Sequence, residues 1–191
     1  REAIAAVARR HEVLIIEDDI YGALGDESPL ASVLPERSLL ISSLSKTVAP
    51  GLRLGFIAGP EQWLSRIDPE AQATSWALSP LCLHIGCEWL EDGTAARRLS
   101  WQRVQVGRRW RLAQKLLGAT QSAASPHRWL QASADEDLLA CCRDAGVEAA
   151  AAEVFAVGPG APHALRLSLT AAPSLAVLKA GLEAIALQRL L

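Results

Sequence analysis

Lys46 sits in the stretch Ser43-Leu44-Ser45-Lys46-Thr47-Val48-Ala49-Pro50-Gly51-Leu52-Arg53-Leu54-Gly55, which follows the apolar run Leu39-Leu40-Ile41. A lysine just past a buried strand can be desolvated, which lowers its pKa and leaves a neutral amine able to form an imine with a carbonyl. Ser43, Ser45 and Arg53 supply hydroxyl donors and a guanidinium fork, the groups that hold a phosphate. Taken alone, the stretch suits almost equally well a surface lysine in a Ser-rich loop, with Arg53 in an ordinary ion pair.

A second cluster, Glu17-Asp18-Asp19-Ile20-Tyr21, follows the apolar run Val13-Leu14-Ile15-Ile16. It puts an acid and a phenol at the sheet edge that carries Lys46. A carboxylate keeps a pyridine nitrogen protonated so that the ring acts as an electron sink, and a tyrosine hydroxyl can hydrogen-bond a ring oxygen. The alternative is an acidic loop capping the next element, with Tyr21 as packing. An imine-forming lysine, phosphate donors and a carboxylate for a ring nitrogen together point to pyridoxal 5'-phosphate.

The elements that position these groups read as α/β. A helix opens the chain, two short apolar runs at Val13–Ile16 and Leu39–Ile41 suit parallel strands covered on both faces, and a third strand is expected over Leu52–Ala58. Ligands of such sheets sit outside the carboxyl ends of the strands. After Gly59-Pro60, Glu61–Ile67 looks helical. The helical pattern then runs from Pro69 to about Gly118, with Pro80 and Gly93 as interruptions and one long helix over Thr94–Leu117. Beyond Ser122–His127 the spacing predicts strands at Trp129–Ala134, Val154–Val157 and Leu165–Leu169. Helices are expected at Asp135–Asp144 and, capped by Ser174, on to Leu191. The expected organisation is residues 1–92 as part of a large, mostly parallel cofactor-binding domain, 93–118 as a long interdomain helix, and 119–191 as a small α+β domain.

Composition narrows the class. The 191 residues carry 19 Lys plus Arg and 21 Asp plus Glu, a net charge of −2, and half are hydrophobic. That is neither a disordered tail nor a dedicated basic nucleic-acid binder. No apolar run approaches the ~18 residues of a membrane span, and the start lacks a signal peptide's apolar segment, so the cytoplasm is the expected location. There is no Met, and the chain opens inside an amphipathic pattern (Ile4, Val7, Ala8, His11), which predicts a fragment of a longer protein. Cys82, Cys87, Cys141 and Cys142 lie in apolar helical stretches and read as buried thiols. Cys82, His84 and Cys87 do not converge on one helix face, so no metal site is expected. From Arg97 to Lys115 run seven basic residues, two tryptophans and no acid. This reads as a solvated bridging helix with Trp facing the core rather than a nucleic-acid surface.

Asp18-x-x-Tyr21, Ser43-x-Ser45-Lys46 and Arg53 resemble the class I/II aminotransferases of pyridoxal phosphate fold type I. The resemblance implies that Lys46 is the Schiff-base lysine, that Asp18 pairs with the pyridine nitrogen and that Tyr21 contacts the ring oxygen. It gives the phosphate to Ser43, Ser45 and Arg53. His163-Ala164-Leu165-Arg166-Leu167-Ser168 resembles the family's late arginine strand, which makes Arg166 the clamp for a substrate α-carboxylate. The family's upstream Gly/Ser turn, ring-stacking aromatic and asparagine have no counterpart in these residues. Trp76-Ala77-Leu78-Ser79-Pro80, Trp89-Leu90-Glu91-Asp92-Gly93-Thr94-Ala95, Trp101-Gln102-Arg103 and Ala152-Glu153-Val154-Phe155-Ala156-Val157-Gly158 look like the aminotransferase-like domain of MocR-type regulators in the GntR family.

Two functions follow from the resemblance. One is a pyridoxal phosphate-dependent aminotransferase that passes an amino group from an amino acid to a 2-oxo acid through a Lys46 Schiff base. The other is the effector-binding domain of a MocR/GntR-type transcriptional regulator, contacting nucleic acid only through an upstream domain. Both imply a homodimer in the complete protein, with an amino acid, 2-oxo acid or amine effector as ligand.

Overall fold

The computed structural model describes residues 1–68, 78–132, 137–158 and 160–189. Trp76 and Ala77 of the tryptophan motif lie outside them, as do Pro159 and residues 133–136, where an expected strand ends and an expected helix begins. The chain forms two compact units, Arg1–Arg103 and Val104–Leu191.

In the first unit, helix α1 (Glu2–Arg10) uses its small residues. Ala5 and Ala8 are buried with Leu30 and Leu34, and Ile15 and Val33 pack at the margin. Ile4 and Val7 of the expected core face are exposed instead. Pairs at i, i+3 offset by one position form adjacent stripes, and the alanine stripe allows the closer approach. Strand β1 (Ile15–Asp18) pairs in parallel with β2 (Ser38–Ser43), placing Asp18 opposite Ile41. Strand β3 (Gly55–Ala58) returns antiparallel on the other side of β2, with Gly55 opposite Ser43. Only the first of the two pairings is therefore parallel, because an eleven-residue connection is too short for a crossover helix. The strands are also not covered on both faces: Ile16 is 64% exposed and all of β3 is exposed.

Helix α2 (Glu61–Leu64) follows β3. Helix α3 (Pro80–Glu91) has Pro at its first position, where a missing N–H costs nothing. The break before helix α4 (Thr94–Leu117) is set by Gly93 at φ 78° and by Asp92, whose Oδ1 accepts the Thr94 N–H at 2.7 Å.

The second unit is built on a three-stranded sheet of order β4-β6-β5: β4 (His127–Gln131), β6 (Ala164–Ser168) and β5 (Ala150–Ala151). Alternation is strict on β4 and β6. Arg128, Leu130, Leu165 and Leu167 point inward, while Trp129, Gln131, Arg166 and Ser168 point outward. The inner face packs against Trp110, Leu117, Leu138, Leu182 and Ile185. Helices α5 (Leu138–Asp144) and α6 (Leu175–Gln188) start at side-chain caps, Asp137 accepting from Ala140 N and Ser174 from Val177 N. The strand expected at Val154–Val157 is a 3-10 turn, Ala152–Phe155, and the third strand is the preceding Ala150–Ala151. Val154 and Val157 are both exposed, so no sheet face draws that run into a ladder.

Part of the basic run of α4 is used on backbone carbonyls, by Arg97, Arg103 and Arg109. Arg97 donates to Asp92 O and Thr94 Oγ1, and Arg109 donates to Leu169 O at 2.7 Å and Ala172 O at 3.0 Å. Trp110 enters the core, whereas Trp101 is exposed. Arg128, 4% exposed, reaches from β4 to Gly118 O and Thr120 Oγ1 and lies over the Trp110 ring.

Burial, reinforced by the neighbouring Cys141, pushes the Cys142 thiol up to about 11, while Cys87 on α3 is exposed. At mildly alkaline pH an alkylating reagent should modify Cys87 and spare Cys142 until denaturant is added. Peptide mass mapping checks this, and equal labelling of the two would mean that the second unit's core is open.

Candidate functional site

The register of the first sheet collects the predicted residues at one edge. β1 and β2 are parallel, so both end there, and β3 begins there because it is antiparallel. Asp18 is the last residue of β1. Ser43 ends β2, and Ser45, Lys46 and Arg53 lie in the connection to β3.

That connection is closed at its base by Leu44 N donating to Leu54 O at 3.0 Å. Leu44, Val48, Leu52 and Leu54 are buried together, and Leu54 fills the space that a Cβ on Gly86 of α3 would take. Above this apolar base, Val48 N and Ala49 N both donate to Leu44 O, forming one helical turn that carries Lys46 outward. Ser43 Oγ accepts the Ser45 N–H at 2.9 Å, which leaves the Ser43 hydroxyl proton free to donate. Lys46 is exposed, so the desolvation expected from the strand end is not supplied by these residues. Its Nζ lies 5.8 Å from the centre of the Tyr21 ring. Arg53 is exposed between buried Leu52 and Leu54, with left-handed backbone at φ 50°.

The three acids at the end of β1, two in the strand and one just past it, have separate surroundings. Glu17 accepts the N–H groups of Leu30 and Ala31 at 2.7 and 2.9 Å, anchoring the 3-10 turn Leu30–Ser32. Asp18 is exposed and, among the described residues, accepts only the nearby Ile20 N–H, at 3.3 Å. Asp19 is half-buried, with its carboxylate where a Cβ on Gly22 would stand. Tyr21 opens the turn Gly22–Leu24, and Arg103 of α4 holds that turn by donating to Ala23 O at 2.7 Å and Gly25 O at 2.8 Å. Arg103 is not legible in the sequence as a support for Tyr21, because nothing local links two positions about eighty residues apart.

Arg166 belongs to the second unit, on the outer face of β6, opposite Trp129 of β4 and Ala150 of β5. Its guanidinium lies over the Phe155 ring at 4.7 Å. A cavity of about 520 Å³ in this unit is lined by apolar residues such as Val147, Leu169, Leu178 and Leu182. Arg166 is not part of its wall. Among the described residues no three His, Cys, Asp or Glu side chains cluster as metal ligands, and no helix is long and apolar enough to cross a membrane.

Burial first, then the charge of Glu17, holds the Asp19 carboxyl above its usual range; Arg1 opposes this, and Asp18 adds a smaller push in the same direction as Glu17. The folded state therefore takes up this proton more readily than the unfolded chain, and ionisation of Asp19 works against folding as pH rises. Asp19→Asn should raise the unfolding midpoint at neutral pH, with the gain fading as pH falls through the raised pKa. Thermal melts across that range test it. A lower midpoint for the variant at pH 7 would show that the carboxylate makes a stabilising contact.

Comparison with known proteins bears on this arrangement. An HTH-type transcriptional regulator of Bacillus subtilis (strain 168), YdeF, is 32% identical over 194 residues, covering 95% of this chain and 41% of the regulator. The mitochondrial kynurenine/alpha-aminoadipate aminotransferase of Rattus norvegicus is 35% identical over 105 residues, 50% of this chain and 25% of the enzyme. LysN, an alpha-aminoadipate aminotransferase of Thermus thermophilus solved with N-(5'-phosphopyridoxyl)-L-leucine, superposes on 98% of this chain with a TM-score of 0.82 at 18% identity. The chain spans about half of that structure, 52%, and less of the curated relatives. The fold is that of the C-terminal part of a fold type I aminotransferase. The model of the family "Aminotransferase class I and II" matches residues 2–185, nearly end to end, so the chain belongs to that family.

Proposed function

We propose that this chain supplies the lysine-bearing part of a pyridoxal 5'-phosphate site, and that the complete protein uses it to move an amino group from an amino acid to a 2-oxo acid. One observation carries the reading. Asp18, Lys46 and Arg53 are at the same sheet edge and exposed, yet none of them enters an ion pair among the described residues. Elsewhere in the unit opposite charges do pair, as in Arg9 with Glu36 at 3.0 Å and Arg37 with Glu12 at 3.5 Å.

The donor set fits the cofactor's chemistry group by group. Asp18 would accept from the ring nitrogen, and the Tyr21 hydroxyl would donate to the ring oxygen. Ser43, Ser45 and Arg53 would hold the phosphate through hydroxyl and guanidinium donors. Lys46 would provide the amine for covalent attachment and serve as the base that carries the proton at the amino acid's α-carbon. Arg166 would hold the α-carboxylate. When bound, the cofactor supplies an electrophilic carbonyl and a ring that withdraws electrons from that carbon. Arg53 keeps a backbone conformation that costs a non-glycine residue on the order of 1 kcal/mol, a strain of the kind tolerated at working sites.

A second reading is favoured by the extent of the matches, since the regulator aligns over 95% of the chain and the rat aminotransferase over 50%. In it, the same residues bind an amine effector, and the exchange shifts a homodimer's conformation to control DNA binding. Turnover of an amino acid with a 2-oxo acid separates the readings, because a sensor binds the amino acid without multiple turnovers.

Among the three lysines of the chain, Lys46, Lys115 and Lys179, borohydride reduction of the complete protein loaded with pyridoxal phosphate should mark Lys46. Peptide mapping reads the site, and a label on either of the others would overturn the assignment. Asp18→Asn should leave cofactor affinity within a few fold and cut turnover far more, since an amide cannot keep the ring nitrogen protonated. Equal loss of both would make Asp18 structural. Arg53→Gly relieves the left-handed backbone while removing the fork, so it should weaken cofactor binding about tenfold or more without lowering the melting temperature.

A further inference from the structure

The outer face of the second unit's sheet carries a contact that the cofactor reading does not use. Arg166 lies on the central strand, with Trp129 across from it on one side and Ala150 on the other. The run Ala150-Ala151-Ala152 has no bulk, and the 3-10 turn Ala152–Phe155 brings the Phe155 ring to 4.7 Å from the guanidinium carbon. Trp129 meets Phe155 edge-on, with ring centres 6.3 Å apart and planes at 63°. Both residues remain partly exposed, at 40% for Trp129 and 43% for Phe155, so they do not serve as core.

Arg166 differs from Arg109 and Arg128 of the same unit, whose terminal guanidinium nitrogens donate to carbonyl and hydroxyl oxygens. Among the described residues Arg166 has no acid and no carbonyl, only the ring. An aromatic face against a guanidinium restrains the plane of the fork and leaves the N–H donors at its edge unobstructed. We propose that Phe155, braced by Trp129, is a positioning residue that fixes the Arg166 fork for edge-on binding of a ligand carboxylate. The inference rests on the assignment of the α-carboxylate to Arg166.

The test uses the complete protein loaded with pyridoxal phosphate, titrated with L-leucine and with its decarboxylated amine and followed by cofactor absorbance. Phe155→Leu keeps apolar bulk but loses the flat face. It should lower the preference for the amino acid about three- to tenfold, the size of a partly exposed cation–π contact, with the amine's affinity unchanged. Phe155→Tyr should restore the preference. In cofactor-free protein, the Arg166 side-chain N–H resonances should show faster rotation in Phe155→Leu than in Phe155→Tyr, a readout that needs no ligand. Equal weakening of both ligands, or unchanged Arg166 rotation, overturns the positioning role. The parent assignment has its own control: if Arg166→Lys leaves the ratio unchanged, the carboxylate contact itself is wrong. If Arg166→Lys lowers the ratio while Phe155→Leu does not, only the role of Phe155 falls.

Discussion

A single backbone hydrogen bond, Leu44 N to Leu54 O, fixes the geometry on which the candidate site depends. It closes the connection between β2 and β3 at its base, so that everything between those residues projects from the sheet edge. Lys46 and Arg53 are seven positions apart in sequence and are brought to the same edge by this closure. The bond persists because it is covered: Leu44, Val48, Leu52 and Leu54 remove it from water, and Gly86 lets Leu54 approach α3 without a side chain in the way. Polar function above thus depends on apolar packing below.

The acidic side of the edge has a different logic. Three consecutive carboxylates would repel one another if they faced one way. Strand alternation sends Glu17 to two backbone N–H groups and leaves Asp18 on the open face, and chain reversal tucks Asp19 against Gly22. Each acid so acquires a separate environment. The middle one is left available to a ligand, and its neighbours are occupied by the fold.

Much of this is legible in the sequence, and what is not has identifiable causes. The strand ends, the Ser174 cap and the long helix are readable because each is a local pattern of burial or capping. Antiparallel pairing of β3 is not, because an apolar run does not encode strand direction. Phe155 falls within a sequence-expected strand because the β-branched Val154 and Val157 flank it, whereas the structure turns there and exposes both valines. Desolvation of Lys46 follows from its place after a strand, but within these residues the turn carries it outward. Long-range contacts such as Arg103 to Ala23 O leave no local trace.

The bonds that Arg109 and Arg128 make in the second unit have a consequence beyond packing. Their acceptors are carbonyl oxygens and a threonine hydroxyl, with no carboxylate among them. A guanidinium stays protonated throughout the ordinary range, and carbonyls do not titrate. The ties from α4 to the residues after β6, and from β4 to the end of α4, are therefore indifferent to acidification, unlike ties made through Asp or Glu. Added salt has no anionic acceptor to screen. Acid would act against the first unit through Glu36 and Asp92, whose hydrogen bonds hold their carboxyls below the usual range, and leave these joints in the second one intact.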